Sequence, residues 1–355
     1  MMTLGEFKEK FDIVFSEFID SKLDEIENVS VHARSVLDSS RAMWTKGGKR
    51  IRPYLSMLAY QAHGGEKFQE MLFASCALEL LHIFALVHDD VIDQSDTRRG
   101  FDTLHVFLSK EHNQKKLHGD AKHIGESLSI LIGDLLFSYA NEIVTRINFP
   151  TQQIILAQEL FYTIQQQLVL GEYEDVRATT QLATVTEEQV LTLMSRKSGR
   201  YTIEQPLQFG TILSGKSREY AEQVFRPFSE PLGVAFQLHD DILGTFGDEQ
   251  LLGKPTDSDI KQGKPTLMVV HALKHTDASS KERLLSILGN QKASTQDIEE
   301  VCQILRKTKS DEYAKRKAAD YIKQAHAALS DMKDFPQDLR NSLAVLADFI
   351  ISRTY

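Results

Sequence analysis

The sequence is poor in cysteine, proline and glycine, and these shortages narrow the class of protein. Among 355 residues there are two cysteines, Cys76 and Cys302, which lie far apart and lack the spacing of metal ligands. Cys76 stands in an apolar run, which favours a buried free thiol over a redox role and suits a reducing cytoplasm. Eight prolines and 19 glycines, with 42% apolar and 26% charged residues, argue against disorder and indicate an ordinary globular protein.

Positive charge and long apolar runs are also lacking. The formal net charge is −9, which argues against a nucleic-acid surface or a polybasic membrane patch. The N-terminus has no basic flank followed by an apolar stretch, so no signal peptide is expected. The longest apolar run, around 71–87, is interrupted by Glu79 and His82, so no membrane span is expected either. These absences predict a cytoplasmic protein.

Strand signals are missing, whereas helical periodicity runs through most of the chain. Apolar residues at three- and four-residue steps predict an amphipathic helix over 7–28, and residues 71–93 have the all-round apolar character of a buried central helix. Further helices are expected over 124–145, 151–176, 186–214 and 228–246, and then in series from 266 to Ile351. Long helices with short connections and no linker indicate one all-α domain over 1–355.

The run at 86–93, Leu-Val-His-Asp-Asp-Val-Ile-Asp, places adjacent carboxylates in an apolar stretch. Residues four apart share a helix face, so Asp89 and Asp93 point the same way, with Asp90 beside them and His82 two turns earlier. A solvated acidic turn is the commonest reason for an Asp-Asp pair. The apolar surround would instead bury these carboxylates, where an unpaired charge is costly. The run therefore favours a metal site, and such oxygen ligands suit Mg²⁺ bound together with phosphates.

A second run at 236–244, Phe-Gln-Leu-His-Asp-Asp-Ile-Leu-Gly, repeats this pattern about 150 residues later. Asp240 and Asp241 lie in an equally apolar helix, and a histidine again precedes them. One such run could arise by chance. Two would place carboxylates on facing helices that hold several Mg²⁺ ions around one diphosphate.

Two clusters of cations could complete such a site. The segment 47–53 reads Gly-Gly-Lys-Arg-Ile-Arg-Pro, in which glycines allow close backbone approach and arginine can grip two phosphate oxygens at once. The segment 196–201 reads Arg-Lys-Ser-Gly-Arg-Tyr. Each is weak by itself, because most Gly-Gly-Lys turns are loops with solvated lysines and most mid-helix cations lie on a surface.

In this combination the chain resembles the trans-isoprenyl diphosphate synthases, also called the polyprenyl synthetase family. The motifs that carry the resemblance lie between about Gly47 and Thr266 and occur in the family's order: Gly-Gly-Lys-x-x-Arg, an aspartate-rich motif, Phe-Gln with a second aspartate-rich motif, and Gly-Lys-x-Thr. The resemblance implies a bundle of long helices around a central cavity, and commonly a homodimer.

The resemblance also implies roles for individual residues. The metal ligands would be Asp89, Asp93, Asp175 and Asp240. The ligands of the homoallylic diphosphate would be Lys49, Arg52, His82 and Arg99, and those of the allylic diphosphate Arg98, Lys197 and Lys254, with Lys264 close by. The other residues of the reaction centre would be Asp90, Ser198, Tyr201, Gln237, which also contacts substrate, and Asp241.

Four positions depart from the family pattern. Gly244 stands where many members carry a third aspartate, and Glu172 stands where glutamine is usual. Ser198 replaces a common threonine, and Asp102 takes the place of a proline that often follows Arg-Arg-Gly. The Asp-Asp-x-x-Gly form resembles short-chain synthases of actinobacterial type, so the second motif does not indicate a dead site. It leaves open how many metal ions bind there and how tightly.

The activity that the resemblance implies is a head-to-tail prenyl transfer from an allylic diphosphate to isopentenyl diphosphate, with two or three Mg²⁺ ions as cofactor. A class I terpene cyclase also has an aspartate-rich helix, but it binds no second diphosphate and so does not need Gly-Gly-Lys-x-x-Arg. A non-catalytic partner subunit would have a degenerate first motif, and here that motif is intact. A helical scaffold with acidic patches does not explain the paired cations.

Product length is expected to depend on the helix turn before Asp89. Phe84 and Ala85 lie five and four residues before it, so a ring at 84 could form a floor for the growing chain while a small side chain at 85 leaves room. One aromatic residue here, without an insertion in the first motif, resembles synthases that stop at the twenty-carbon product. The expected product is geranylgeranyl diphosphate, with farnesyl diphosphate or a longer chain as alternatives. Phe84 as simple core packing is the other interpretation.

Overall fold

The computed structural model describes residues 2–45, 47–98, 100–248 and 256–352, without the side chains at 198 and 350–352. The α-helices within these ranges are α1 (Leu4–Glu27), α2 (Val31–Thr45), α3 (Ile51–Ala62), α4 (Phe68–Ile92), α5 (Leu104–Gln114), α6 (Ala121–Arg146), α7 (Thr151–Thr179), α8 (Glu187–Met194), α9 (Gln205–Leu213), α10 (Arg218–Val224), α11 (Arg226–Phe246), α12 (Ser258–Gln262), α13 (Leu267–His275), α14 (Ala278–Ile287), α15 (Thr295–Lys307), α16 (Ser310–Asp331) and α17 (Gln337–Ser352). The other elements are a π-helical segment, Ser195–Glu204, and two antiparallel strands, β1 (Thr97–Arg98) and β2 (Phe101–Asp102). The predicted all-α fold is confirmed.

The helices predicted from periodicity agree with the observed ones to within a few residues, with one exception. The stretch 186–214, predicted as one helix, consists of α8, the π segment and α9. A π-helix bonds each N–H to the carbonyl five residues back, and such segments are rare and often lie at functional sites. Apolar spacing did not distinguish this geometry from an α-helix.

The chain divides into two compact units, of which the first comprises Met1–Tyr162 and Pro206–Ala221. Helix α4 lies at its centre and packs against α1, α3 and α6, because its side chains are apolar on almost every face. Phe7, Phe11 and Phe15 follow one face of α1, and their rings stack with centroids 5.4 and 5.6 Å apart. This unit carries the first aspartate run and the Gly-Gly-Lys loop.

The second unit comprises Thr163–Gln205 and Glu222–Tyr355. Helix α11 packs here against α16 and the π segment, and it contributes Val234, Leu238 and Ile242 to the core. This unit carries the second aspartate run and the Arg-Lys-Ser-Gly-Arg segment. The prediction of one domain over 1–355 stays a prediction.

Two helices, α4 and α6, have the length and apolar composition needed to cross a bilayer within the described ranges. The apolar window of α4 is 72% buried inside the protein, and that of α6 is 39% buried. Core helices of globular proteins meet the same criteria, so these two helices do not show a membrane span.

Cys76 lies fully buried in α4 as a free thiol, which confirms the interpretation of its apolar neighbours. Burial raises the pKa of this thiol well above its ordinary value. Because the thiolate is the reactive form, burial makes this thiol unreactive, as expected of a packing residue.

Candidate active site

The first aspartate run lies at the C-terminal end of α4 in the first unit. Asp89 and Asp90 lie in the last turns, and Asp93 ends the helix with its N–H donating to the carbonyl of Asp89. Arg98 in β1 reaches back to the run: its Nε donates to Asp90 Oδ1 at 2.8 Å, and its Nη2 lies 2.6 Å from the same oxygen. The Nη2 also lies 3.7 Å from Asp89 Oδ2. The fold thus brings these four predicted site residues together.

Asp90 is buried beside two further carboxylates and one guanidinium in the first aspartate run. Burial raises the pKa of Asp90 to about 6; Arg98 opposes this rise, while Asp89 and Asp93 add to it. Burial is the largest of these effects, so the Arg98 pair alone does not compensate for it. A bound cation would relieve the remaining repulsion.

The donor set suits a metal that binds through few protein ligands. Across residues 2–45, 47–98, 100–248 and 256–352, no three Asp, Glu, His or Cys side chains converge as a closed metal site. Mg²⁺ does not need such a cage, because it usually keeps waters and takes one or two carboxylates together with substrate phosphates. The aspartates of this run therefore fit Mg²⁺ better than a structural metal.

His88 holds the last turns of α4 against α6. Its Nε2 lies 3.0 Å from the carbonyl oxygen of Ile130 and 3.6 Å from Asp134 Oδ1. Gly133 makes this approach possible, since a Cβ there would lie 2.3 Å from the imidazole ring. His88 thereby positions the backbone at Asp89. Sequence reasoning did not include it, although a histidine next to the aspartates in an apolar run was a usable signal.

The Gly-Gly-Lys loop directs neighbouring cations to different surroundings. Gly47 and Gly48 have φ of 80° and 76°, which only glycine adopts without strain. Beyond them Lys49 is exposed, Arg50 is 2% exposed and Arg52 is half-buried. The two cations predicted to bind diphosphate are therefore the two that retain solvent contact.

Arg50 is a structural residue that sequence reasoning missed. Its Nε donates to Asp12 Oδ1 at 2.8 Å, its Nη1 pairs with Glu79, and its Nη2 donates to the carbonyls of Trp44 and Thr45 at 3.3 and 3.0 Å. These bonds attach the loop to α1 and α4. Glu79 was the signal for this network, because a carboxylate in a buried helix requires a cation.

The second aspartate run lies in α11 of the second unit. Asp240 is half-buried and Asp241 is buried. The Gln237 side-chain amide donates to Asp241 Oδ1 at 2.7 Å. Gln237 lies one helical turn before Asp241, and this bond orients the carboxylate. Burial raises the pKa of Asp241 well above its ordinary range, and the charges of Asp259, Asp240 and Asp175 raise it further. In this run too, neighbouring carboxylates disfavour the ionised form of the buried aspartate.

Asp259 explains how the second run accommodates glycine at position 244. A Cβ built on Gly244 would lie 2.9 Å from Asp259 Oδ2. The carboxylate of Asp259, from the short helix α12, thus lies beside the position where many relatives have a third aspartate. A larger side chain at 244 would have to displace it. No pattern in the sequence pairs these two positions.

Lys197 in the π segment forms a cluster with two acids of α7. Its Nζ lies 2.8 Å from Glu172 Oε2 and also bonds Asp175. Glu172 is one of the departures from the family pattern, because the family usually has a neutral glutamine at this position. The extra carboxylate gives Lys197 a second anionic partner in this unit.

The π segment crosses α11 at two glycines. A Cβ built on Gly233 would lie 1.8 Å from the Cα of Gly199, so only glycine fits at this crossing. The close backbone approach fixes the position of the segment that carries Lys197. Glycine at 233 is therefore required by packing, whereas a Cβ at 199 would lie 3.4 Å from the nearest atom, the Cα of Gly233.

The remaining predicted site residues have the following places. His82 is half-buried on α4, Tyr201 is buried in the π segment, and Lys264 is half-buried between α12 and α13. Arg99, Lys254 and the side chain of Ser198 lie outside the described residues.

Phe84 is buried on α4, one turn before His88. Its ring lies 4.7 Å from the His88 ring and 5.0 Å from the Phe137 ring of α6, measured between centroids. Ala85 is half-buried beside it. Phe84 is thus fixed between two other rings, a contact that its position in the sequence did not indicate.

Comparison with known proteins places the chain in one family. The family model for polyprenyl synthetase matches residues 34–305. A short chain isoprenyl diphosphate synthase of Methanocaldococcus jannaschii is 35% identical, covering 98% of this chain and 99% of the relative. A geranylgeranyl diphosphate synthase of Sulfolobus acidocaldarius is 32% identical, covering 97% and 98%.

A solved structure shows the same similarity in three dimensions. Geranylgeranyl pyrophosphate synthase from Corynebacterium glutamicum, in complex with isoprenyl diphosphate and magnesium, matches with a TM-score of 0.93 and 28% identity, covering 99% of this chain and 100% of that one. The resemblance seen in the motifs is therefore confirmed over nearly the whole length. The chain belongs to the polyprenyl synthetase family.

Proposed function

We propose that the protein is a Mg²⁺-dependent trans-prenyltransferase that condenses isopentenyl diphosphate with an allylic diphosphate, head to tail, to geranylgeranyl diphosphate. The observation that carries this proposal is full-length similarity to geranylgeranyl diphosphate synthases in a chain that keeps both aspartate runs on buried helices. Relatives described as short chain isoprenyl diphosphate synthases support the same reaction.

Mg²⁺ would be held by Asp89 and Asp93 in the first unit and by Asp175 and Asp240 in the second. The raised pKa values of Asp90 and Asp241 support this assignment, because burial and neighbouring carboxylates disfavour their ionised forms and a bound cation would offset both effects. Two or three ions, when bound, would neutralise the diphosphate that leaves the allylic carbon.

The cations would bind the two diphosphates. Lys49, Arg52 and His82, together with Arg99, would hold isopentenyl diphosphate. Arg98 and Lys197, with Lys254 and Lys264, would hold the allylic diphosphate. Arg98 and Lys197 already contact the carboxylates of Asp90 and Asp175, so a diphosphate would exchange one set of anionic partners for another.

Bond formation requires positioning and electrostatic stabilisation and no nucleophilic side chain. The allylic carbon–oxygen bond breaks, the double bond of isopentenyl diphosphate attacks the resulting carbocation, and a proton is lost to the departing diphosphate. Water would quench the cation, so the protein must exclude it while Tyr201 and Gln237 line the reaction centre. A buried Tyr201 is compatible with that role.

A homodimer in the cytoplasm is part of the proposal. On α6 of the first unit, Leu128, Ile130 and Leu131 are 37%, 43% and 62% exposed. The part of α7 in the second unit exposes Val169, Leu170 and Tyr173. Exposed apolar patches of this kind mark association surfaces, and a second copy of the chain is the occupant that the family predicts.

The activity is tested by incubating the protein with Mg²⁺, labelled isopentenyl diphosphate and dimethylallyl, geranyl or farnesyl diphosphate in turn. We expect a twenty-carbon product, identified by chromatography after dephosphorylation, and no turnover in chelator. A fifteen-carbon or longer product would correct the length while retaining the reaction. A cyclised hydrocarbon, or no condensation with any substrate, would contradict the proposal.

The metal assignment is tested by variants in the same assay. Asp89→Ala and Asp93→Ala should lower kcat by orders of magnitude, whereas the control Asp248→Ala, at an exposed position after α11, should have a mild effect. Near-normal turnover of Asp89→Ala at saturating Mg²⁺ would show the assignment to be wrong.

A further inference from the structure

A cavity of about 800 Å³ lies in the second unit, bounded by α8, the π segment, α11 and α16. No described residue assigned above to metal, diphosphate or the reaction centre lines it. Three arginines do: Arg196, Arg200 and Arg226. We call this cavity the arginine cleft, and the prenyl transfer reaction leaves it without a role.

Two of these arginines project from one face of the π segment. Arg196 and Arg200 are four residues apart, and a π-helix has more than four residues per turn, so both point into the cleft. Neither forms an ion pair with another residue in the described part of the chain. Arg226, from the start of α11, lies 3.4 Å from Glu204 Oε1 and has a half-exposed side chain.

The carboxylates that line the cleft have other partners or face solvent. Glu187 accepts from the Tyr313 hydroxyl at 2.6 Å and lies 2.9 Å from Lys317 Nζ. Glu230 accepts from the Ser195 hydroxyl at 3.1 Å, and Glu188 is exposed. Arg196 and Arg200 therefore remain as the cations available to an anionic ligand.

The rest of the cleft is partly apolar. Leu191 of α8, Pro231 and Val234 of α11 and the ring of Tyr321 on α16 line it. Guanidinium groups bind phosphate oxygens in pairs, and an apolar surface beside them suits a hydrocarbon chain. We propose that the arginine cleft binds a diphosphate group, supplied by a prenyl diphosphate or by free inorganic diphosphate.

Occupancy of the cleft would act on the catalytic cation through the π segment. Lys197 lies between Arg196 and Arg200 in the chain, but it does not line the cleft and pairs instead with Glu172 and Asp175 of α7. A ligand that binds both arginines would restrain the backbone that positions Lys197. The cleft would then be a site of feedback by the products of the reaction. This regulatory part rests on the proposed function, whereas the binding itself does not.

Binding is tested by titrating the full-length protein with inorganic diphosphate and, separately, with geranylgeranyl diphosphate in chelator, using calorimetry. The variant Arg196→Gln/Arg200→Gln is compared with wild type and with Lys323→Gln, which removes an exposed charge of α16 that does not line the cleft. We expect one fewer equivalent bound in the double variant, because losing two charge-assisted contacts weakens binding at least tenfold. Arg226→Gln, at an exposed position, should weaken the same equivalent.

The two ligands distinguish the sources of the diphosphate. If the double variant binds one fewer equivalent of both ligands, the diphosphate group is sufficient for binding to the cleft. If it binds one fewer equivalent of geranylgeranyl diphosphate only, binding also requires the apolar surface. Equal stoichiometry in wild type and double variant for both ligands would overturn the proposal.

In the prenyl transfer assay, added geranylgeranyl diphosphate should inhibit wild type in part without competing with the allylic substrate. The double variant should lose that component and keep its uninhibited rate; an unchanged inhibition pattern would overturn the feedback role.

Discussion

Arg50 shows how the fold separates a structural cation from functional ones in the same loop. It is buried against Asp12 and Glu79, whereas Lys49 on one side is exposed and Arg52 on the other is half-buried. Its guanidinium also lies 5.1 Å from the centroid of the Phe15 ring of α1. The loop can present two cations to a diphosphate because a third one ties it to the core.

Arg50→Met should destabilise the protein strongly. Removing one partner of a buried ion pair leaves Glu79 without compensation, which typically costs about 3 to 5 kcal/mol in the free energy of unfolding. The matched control is Arg41→Met, since Arg41 pairs with Asp20 at a more exposed position, where such a pair contributes about 0 to 1 kcal/mol. Urea denaturation of both variants measures the difference, and equal losses would contradict a structural role for Arg50.

Phe84 and Phe137 should act as successive limits on product length. If Phe84 is the floor for the growing chain, Phe84→Ala should shift the product to longer chains, and Phe137, whose ring lies 5.0 Å away, should still limit the extension. Phe84→Ala/Phe137→Ala should therefore give longer products than either single variant. Chromatography of dephosphorylated products measures this. An unchanged distribution from folded, active variants would mean that Phe84 only packs the core.

At the scale of elements, the π segment and α11 form a tightly constrained crossing in the second unit. Gly199 and Gly233 meet there, and position 233 has no space for a side chain. The segment carries Lys197, which pairs with acids of α7, and Arg196 and Arg200, which line the cleft, so the crossing helps to hold all three in place. The π-helical geometry of the segment therefore determines where these three cations lie.

Gly233→Ala should move the π segment and lower both stability and allylic substrate binding. Its Cβ would lie 1.8 Å from the Cα of Gly199, and overpacking of this kind typically costs about 1 to 3 kcal/mol. The control is Gly171→Ala on α7, whose Cβ would lie 3.5 Å from Lys197 Cβ, an ordinary contact. Thermal unfolding and KM for the allylic substrate would both change in the first variant only. Equal behaviour of the two variants would refute the packing argument.

At the scale of the whole molecule, each compact unit contributes one aspartate run and its own cations. Arg52 and Arg98 belong to the first unit, and Lys197 and Lys264 to the second. The proposed function assigns the ligands of isopentenyl diphosphate to the first unit and most ligands of the allylic diphosphate to the second. The two substrates should therefore respond to different variants.

Arg52→Ala should raise KM mainly for isopentenyl diphosphate, and Lys197→Ala mainly for the allylic substrate. Losing one charge-assisted contact costs about 1.5 to 3 kcal/mol, or roughly ten- to a hundredfold in affinity. Initial rates with each substrate varied in turn give the two constants. Equal effects on both constants in both variants would show that the sites are not divided in this way.

Much of this protein follows from its sequence alone. Helical periodicity predicts α1, α4, α6, α7 and α11. Each of these helices must bury an apolar face, so its apolar residues recur at three- and four-residue intervals. The two aspartate runs are also recognisable, since an unpaired carboxylate buried in an apolar helix is costly and so indicates a bound cation or an ion pair. The family and the set of candidate site residues follow from the order of these motifs.

The partners of the buried charges follow only from the tertiary structure. Arg50 was not distinguishable from Lys49 and Arg52, because its role depends on Glu79 and Asp12, which are distant in the chain. The same holds for Asp259 beside Gly244. Spacing along a helix determines which residues share a face, whereas the choice between solvent, a metal ion and an ion pair is made by the helices that pack against that face.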